Sequence, residues 1–339
     1  MIANAMAAAF VAIGAVSATA DQPKERPVSE TNEASYLVPF TLDSSLASGL
    51  RVSAALGGGA PHAFLLDTGS VGVLTPRSAL GPDFQQFDPS QDTEFGYVSS
   101  GKTYHGQWVK VPVVLGVPAD WDGTGDYPVA HVEVFAVDRP AAFDGGVFGV
   151  GFGIGGEADG GPARNPLLHI SYQGARLKHG YVVTQQGVDV DLTASNIEGF
   201  AFAPLERDSE DDDWLPPLGS VELSGDFSPE GFSADLPILV DTGIKDMILW
   251  VSADHAPPNL VKKTSFPAGI SVSISAPPGD LGAAAALHYE FVTGEAGQPM
   301  VPSHVEWRVG RGINTGRNVL AGTDYLYDAT LGRIGFRVP

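Results

Sequence analysis

The sequence predicts an all-β protein that contains two copies of one structural unit related by pseudo-two-fold symmetry. Glycine and proline are abundant, with 42 and 26 residues, and they follow no collagen period. Few stretches place apolar residues at helical spacing, which favours short strands joined by turns. An apolar run that ends in Asp-Thr-Gly occurs twice, at residues 64–69 and 238–243. Two such copies indicate an internal duplication.

The length of the chain is compatible with two compact lobes. It has 339 residues, of which 43% are hydrophobic, and this is enough for two cores of ordinary domain size. We expect an N-terminal lobe over residues 36–195 and a C-terminal lobe over residues 196–339, with the boundary near Ser195. The acidic run at 208–213 is expected to be a solvated surface loop.

Charge and cysteine content exclude several classes of function. The chain has 40 acidic and 19 basic residues and a formal net charge of −21, so it would repel a nucleic-acid backbone. It has no cysteine, which excludes disulfides, thiolate nucleophiles and cysteine-based metal sites. The histidines show no spacing typical of metal ligands. We therefore expect no nucleic-acid partner, no metal and no cofactor.

The N-terminus has features of a signal peptide. Residues 5–16 are apolar, and Ala18 to Ala20 form a small-residue pattern typical of a cleavage site. We expect a signal peptide over 1–20, a linker over 21–35 and a secreted or periplasmic protein. Because no basic residue precedes the apolar stretch, a cytoplasmic location stays open as the alternative. No apolar window is long enough to predict a membrane domain.

Short β-branched segments bounded by glycine, proline or aspartate predict individual strands. The strands are expected at residues 63–66, 108–115, 129–136, 237–240, 271–275 and 333–338. Short helices are expected near 165–169 and 322–327.

Each Asp-Thr-Gly copy is followed by an apolar segment that ends in glycine. These segments are residues 147–149 and 319–322. Gly149 follows Asp67 by 82 positions, and Gly322 follows Asp241 by 81. The near-identical spacing predicts that the two glycines occupy the same position in the two copies.

The two aspartates suggest a particular chemistry. An aspartate at the end of an apolar strand and before Thr-Gly enters a tight turn. If the two loops meet across the pseudo-two-fold axis, the carboxyls of Asp67 and Asp241 face each other and share one proton. The ionised carboxyl can then deprotonate a water while the protonated one donates to a substrate carbonyl oxygen. This would hydrolyse an amide without a covalent intermediate.

From about Tyr36 to Pro339 the chain resembles the pepsin family of aspartic peptidases. The resemblance is carried by the paired Asp-Thr-Gly loops, by the glycine-rich apolar segment 143–151 and by the C-terminal run 319–336. It implies a two-lobed, pepsin-like acid protease fold with a cleft between the lobes that binds a peptide or protein substrate. The implied activity is that of an aspartic-type endopeptidase, and we expect a monomer.

The resemblance also implies site residues. Asp67 and Asp241 would be the catalytic pair, and their loops would be supported by Thr68, Gly69, Ser70, Thr242 and Gly243. A β-hairpin that carries a tyrosine closes over the cleft in this family. Residues 95–104 match it best, with Tyr97 as the flap candidate, although Tyr97 as an ordinary strand residue is an equal alternative.

Three departures from the family pattern bear on these expectations. Ile244 stands where a Ser or Thr hydroxyl usually supports the second aspartate, so Asp241 is expected to lose one hydrogen bond and its pKa to rise. Lys245 stands where small or apolar residues are usual. Leu74 replaces a tryptophan that commonly supports the flap tyrosine.

Other readings of the sequence fit less well. The glycines at 151–156 match a dinucleotide-binding pattern, but no helix follows to bind phosphates. The nucleophile elbow of serine hydrolases would need glycine where Thr68 stands. The alternative that stays open is a pepsin-fold binding or inhibitory module without activity. The retained aspartates favour catalysis, whereas Ile244, Lys245 and Leu74 favour the module.

Overall fold

The structure is a computed structural model. It describes residues 35–84, 87–97, 101–140, 143, 145–153, 161–208, 212–226, 228–252, 254, 265–277, 285–295 and 297–339. The expected signal peptide at 1–20 and linker residues 21–34 lie outside the described residues.

The described chain forms 24 strands and five short 3-10 helices. The strands are β1 Tyr36–Pro39, β2 Arg51–Leu56, β3 His62–Asp67, β4 Val71–Pro76, β5 Thr93–Tyr97, β6 Lys102–Leu115, β7 Val129–Arg139, β8 Val147–Val150, β9 Ile170–Tyr172, β10 Ala175–Arg176, β11 Gly180–Val183, β12 Gly187–Val190, β13 Ala201–Pro204, β14 Glu206–Arg207, β15 Trp214–Leu215, β16 Leu218–Gly225, β17 Ser228–Leu239, β18 Met247–Val251, β19 Ser271–Ala276, β20 Leu287–Val292, β21 Val305–Val309, β22 Gly312–Asn314, β23 Asp324–Asp328 and β24 Arg333–Arg337. The 3-10 helices are Arg77–Ala79, Pro89–Gln91, Gly161–Arg164, Pro166–Leu168 and Arg317–Ala321.

The all-β class predicted from the sequence is confirmed, because no α-helix occurs among the described residues. All six predicted strands are present, most of them longer than expected. The helix expected near 165–169 is a 3-10 turn whose first amide is capped by Asn165, which accepts from the backbone N–H of Leu167 at 3.0 Å. In the part of the chain that the structure describes, no helix is long and apolar enough to cross a bilayer.

The strands form four sheets. A nine-stranded sheet in the order β10-β9-β7-β4-β8-β3-β2-β6-β5 uses only strands between Arg51 and Arg176. A seven-stranded sheet in the order β20-β19-β16-β17-β22-β18-β21 uses only strands between Leu218 and Asn314. A six-stranded antiparallel sheet in the order β1-β12-β11-β23-β24-β13 combines strands from both parts of the chain, and β14 pairs with β15.

The two larger sheets repeat one unusual pairing pattern. In the nine-stranded sheet β3 runs parallel to β8, while β4 runs antiparallel to β8 and parallel to β7. In the seven-stranded sheet β17 runs parallel to β22, while β18 runs antiparallel to β22 and parallel to β21. This repetition gives the internal duplication a structural counterpart.

Strand register identifies which residues correspond. Val147 pairs with Leu65 on one side and with Leu74 on the other. In the second copy Asn314 occupies the same place, because it pairs with Leu239 and with Ile248.

The correspondence inferred from spacing is therefore wrong. Two residues beyond Val147 and Asn314 lie Gly149 and Gly316, so Gly316 is the counterpart of Gly149 and Gly322 is not. The segment used for the spacing is a 3-10 helix over Arg317–Ala321, which follows the strand that does correspond. The helix expected at 322–327 is also wrong, since strand β23 occupies this region between β11 and β24. Its burial on both faces removes the alternation that marks a half-exposed strand.

The core extends through all three large sheets. Leu66, Phe148, Ile238 and Leu249 are at most 2% exposed and belong to one continuous hydrophobic cluster. In the six-stranded sheet, the buried Tyr181 donates from its hydroxyl to the Val150 carbonyl at 2.7 Å. This bond attaches the six-stranded sheet to β8, directly beside the first Asp-Thr-Gly loop.

The close packing of the strand that leads into Asp67 gives a stability prediction. Leu66 is 0% exposed, so Leu66→Ala should lower the free energy of unfolding by about 2–5 kcal/mol through lost burial and a residual cavity. The matched control is Leu42→Ala, because Leu42 is 107% exposed and should change stability by less than about 0.5 kcal/mol. Urea denaturation measures both. Equal effects would contradict the described packing.

Candidate active site

The two Asp-Thr-Gly loops lie at the ends of corresponding strands. Asp67 is the last residue of β3, and Asp241 follows β17 by two residues. The two aspartates are 9% and 5% exposed. Burial of an ionisable carboxyl is costly unless donors surround it, so both loops must supply hydrogen bonds.

Each carboxyl lies directly against the glycine of the other loop. A Cβ atom added to Gly69 would lie 2.3 Å from Cγ of Asp241, and one added to Gly243 would lie 2.5 Å from Oδ1 of Asp67. No side chain fits at either position, because real Cβ contacts are not this short. The structure thus brings together the two aspartates that the sequence singled out, and both glycines are required by close approach.

The two threonines lock the loops together through reciprocal hydrogen bonds. The Thr68 hydroxyl donates to the Val240 carbonyl at 2.5 Å and accepts from the Thr242 backbone N–H at 3.0 Å. The Thr242 hydroxyl donates to the Leu66 carbonyl at 2.7 Å and accepts from the Thr68 backbone N–H at 3.0 Å. Both threonines are buried. These four bonds fix one loop relative to the other and satisfy both threonine hydroxyls.

Asp67 receives one backbone donor and one hydroxyl donor. The Gly69 N–H donates to Oδ1 at 2.8 Å, and the Ser70 hydroxyl donates to Oδ2 at 2.7 Å. Ser70 thus has the contact that the sequence predicted for it.

Asp241 receives a donor that the sequence analysis missed. The Asn314 side-chain amide donates to Oδ2 at 2.6 Å, while the Gly243 N–H donates to Oδ1 at 2.8 Å. The expectation that Asp241 loses a hydrogen bond because Ile244 has no hydroxyl is therefore wrong. The donor comes instead from Asn314 on β22, the strand that pairs with β17. The one available signal was a polar residue within an otherwise apolar strand ahead of Gly316.

The orientation of the Asn314 amide follows from a second contact. Its Oδ1 accepts from the Gly316 backbone N–H at 2.9 Å. A backbone N–H can only donate, so the oxygen must face Gly316 and the NH2 group must face Asp241.

The surroundings shift both acids in the same direction. Burial and the neighbouring charge of Asp241 raise the pKa of Asp67 to about 8, against the opposing hydrogen bonds from Ser70 and Gly69. Burial also raises the pKa of Asp241, and the Asn314 amide is the largest opposing influence. Two buried carboxyls in contact cannot both ionise readily, so the pair retains one proton over a wide pH range.

A buried arginine lies behind the pair. Arg317 is 5% exposed and donates to the carbonyls of Thr242, Leu46 and Ala47 at 3.1, 2.7 and 3.5 Å. Burial lowers the pKa of Arg317, and the charge of Asp241 opposes that change. The guanidinium therefore ties the second loop to a segment near the N-terminus. Sequence reasoning gave no indication of it.

The flap candidate Tyr97 is half-buried at the end of β5. Its ring packs edge-on against Phe95 at 5.2 Å and against Tyr104 at 6.1 Å. Leu74, which follows the first Asp-Thr-Gly loop on β4, belongs to the same aromatic cluster, as does Trp108. Residues 98–100 at the expected hairpin tip lie outside the described residues. The hairpin β5–β6 is thus present, and the role of Tyr97 as a flap stays a prediction.

Lys245, the remaining departure from the expected pattern, is exposed, and the carboxylate of its neighbour Asp246 lies 3.4 Å from His304. Among the residues that the structure describes, no group of three His, Asp or Glu side chains could hold a metal ion.

No protein-family model matches the sequence, and a search of the curated proteins finds no match to it.

The reciprocal threonine bonds predict a stability effect. Thr242→Val keeps the side-chain shape but leaves the Leu66 carbonyl and the Thr68 N–H without partners, so the free energy of unfolding should fall by about 2–4 kcal/mol. The matched control is Thr103→Val on an exposed position of β6, where less than about 0.5 kcal/mol is expected. Chemical denaturation measures both, and an unchanged midpoint for Thr242→Val would rule out the described bonds.

The raised pKa of Asp67 predicts how stability changes with pH. Between about pH 4 and 8 the folded state keeps a proton that an unfolded aspartate releases, so this group makes the protein less stable as pH rises. The contribution is up to about 1.4 kcal/mol per pH unit. Asp67→Asn should remove this pH dependence. The free energy of unfolding of the variant, relative to that of wild type, should therefore increase from pH 5 to pH 7.

The control for this titration is Asp120→Asn at an exposed position, which should follow the wild-type pH dependence. Urea denaturation at the two pH values provides the comparison. Parallel curves for wild type and Asp67→Asn would show that Asp67 is not protonated in the folded state.

Proposed function

We propose that the protein is an aspartic endopeptidase with a pepsin-like, two-lobed fold. The observation that carries the proposal is the contact of each buried Asp-Thr-Gly carboxyl with the glycine of the opposite loop. A pure binding cleft has no chemical need for two facing carboxyls that share a proton.

The sheet arrangement supports the two-lobed fold. The repeated pairing pattern occurs once on each side of residue 195, and the six-stranded sheet contains strands from both sides. Under the proposal, residues 36–195 and 196–339 form the two lobes, and the six-stranded sheet connects them. The peptide or protein substrate would lie in the cleft between the lobes, above Asp67 and Asp241.

The geometry suggests how hydrolysis would proceed. The ionised carboxyl accepts a proton from a water held between the two acids, and that water attacks the carbonyl carbon of the peptide bond. The protonated carboxyl donates to the carbonyl oxygen, which gives a tetrahedral gem-diol intermediate. The carboxyl that took the proton from water then donates it to the leaving nitrogen, while the other carboxylate takes a proton from the gem-diol. The C–N bond breaks, and the pair again holds one proton. The reciprocal threonine bonds contribute by preventing the two acids from moving apart.

The remaining parts of the proposal rest on the sequence. Tyr97 would cover the substrate from the β5–β6 hairpin, and the protein would act as a monomer after export. No cofactor is involved. The argument for an inactive binding or inhibitory module is weaker than the sequence alone indicated, because Asn314 supplies the donor that Ile244 lacks.

Cleavage of a denatured protein substrate between pH 3 and 8 tests the proposal. The wild type should cleave at acidic pH, and activity should extend toward neutral pH because the pKa of Asp67 is raised to about 8. Asp67→Asn and Asp241→Asn should each reduce cleavage by at least about a thousandfold while the chain stays folded.

The matched control is Asp189→Asn, since Asp189 is another partly buried carboxyl whose pKa is raised by burial. It should retain near-wild-type cleavage. No cleavage by folded wild type would support the binding module instead, and full activity in either Asp67→Asn or Asp241→Asn would exclude the mechanism.

A further inference from the structure

The two acids of the pair differ in the kind of donor that each receives. Ser70 is a hydroxyl, which can donate to an ionised Asp67 or accept from a protonated one. The Asn314 NH2 group can only donate, because its amide oxygen is already occupied by the Gly316 N–H. The two environments therefore respond differently to a proton.

Outside the pair, both oxygens of Asp241 accept from groups that cannot accept in return. Oδ2 faces the Asn314 amide at 2.6 Å and Oδ1 faces the Gly243 N–H at 2.8 Å. A proton on Asp241 removes the negative charge that both N–H groups stabilise, so both hydrogen bonds become weaker. In a buried site this weakening is costly, because water cannot compensate for it.

Asp67 tolerates the proton better. Only its Oδ1 faces an obligate donor, the Gly69 N–H, and its Oδ2 faces the adaptable Ser70 hydroxyl. The other groups that interact electrostatically with the pair are Arg317, near both acids, and Tyr181, near Asp67. Burial raises the pKa of Tyr181 well above its ordinary value, so Tyr181 stays neutral, and Arg317 stays a cation.

We propose that Asn314 is a positioning residue that keeps Asp241 as the ionised member of the pair and so assigns the shared proton to Asp67. In the reaction, which rests on the proposed function, Asp241 is then the base that activates water and Asp67 is the acid that donates to the carbonyl oxygen. The corresponding position in the first copy is Val147, which cannot donate, so the asymmetry belongs to the second copy alone.

The pair loses its two protons in a lower and an upper ionisation step, and we expect the two steps to respond to different variants, a result called the crossed pattern below. In the protein with one proton, Asp241 has already ionised, so its donor affects only the lower step. Asn314→Leu should therefore raise the lower step by roughly one pH unit and leave the upper step unchanged. Ser70→Ala, the matched control on the other acid, should raise the upper step and leave the lower one unchanged.

The first measurement needs no activity. Proteins labelled with 13C at the aspartate carboxyl carbons are titrated by NMR as wild type, Asn314→Leu and Ser70→Ala. The crossed pattern supports the proposal. The reverse pattern, in which Asn314→Leu moves the upper step, would place the proton on Asp241 and overturn it, and equal movement of both steps would overturn it too.

Two further variants separate the donor from a general disturbance of the loop. Asn314→Asp keeps an acceptor for the Gly316 N–H but removes the donor, so it should raise the lower step further than Asn314→Leu. Ile244 occupies the place that Ser70 has in the first copy and is only partly buried. Adding Ile244→Ser to Asn314→Leu should restore a donor and return the lower step toward wild type. An unrestored step in the folded double variant would contradict the assigned role.

The pH profile of kcat/KM for a peptide substrate provides the second readout. The acid limb should move with Asn314→Leu and the alkaline limb with Ser70→Ala. If the chain cleaves nothing while the NMR steps cross as expected, the proposed function fails and the proton assignment stands. If it cleaves but the limbs move in the reverse pattern, the assignment fails and the peptidase stands.

Discussion

The reciprocal hydrogen bonds between Thr68 and Thr242 are the constraint on which the site depends. Two buried carboxyls repel each other when both are ionised, so groups outside the pair must hold them in contact once the shared proton is lost. The threonine hydroxyls bond to backbone groups, and neither partner titrates. The arrangement of the two loops, called the frame below, therefore does not change with the charge of the aspartates. The large shared core beneath the loops then makes separation of the two halves unfavourable.

The frame is symmetric, but the chemistry within it is not. The threonines and glycines make equivalent contacts in the two loops. The side-chain donors differ, because Ser70 donates to Asp67 and Asn314 donates to Asp241. Arg317 adds a buried cation on the side of the second loop. A duplicated fold can thus keep its geometry while each copy acquires a different electrostatic environment, and this difference can divide acid and base roles between two identical side chains.

The sequence predicted those features that local residue patterns encode. Two apolar runs ending in Asp-Thr-Gly indicated the paired loops, and β-branched segments indicated the strands around them. The supporting role of Ser70 was an expectation that came from the family resemblance. Asn314 could not be found in this way, because its contact with Asp241 depends on the pairing of β17 with β22 across 73 residues of sequence. The counterpart of Gly149 was misassigned for a similar reason, since equal spacing does not show which glycine follows the corresponding strand. Strand register is a tertiary property, and it decides both cases.

We expect Asp67 and Asp241 to form one site that holds a single proton between them. The most direct measurement is calorimetric binding of a peptide that carries a secondary hydroxyl in place of the scissile carbonyl, a mimic of the tetrahedral intermediate, to wild type, Asp67→Asn and Asp241→Asn. We expect the peptide to bind the wild type with an affinity that falls above the pH at which the pair loses its proton. In each variant the affinity should be lower by at least about a hundredfold. Binding that is unchanged in either folded variant, or that does not depend on pH, would contradict this expectation.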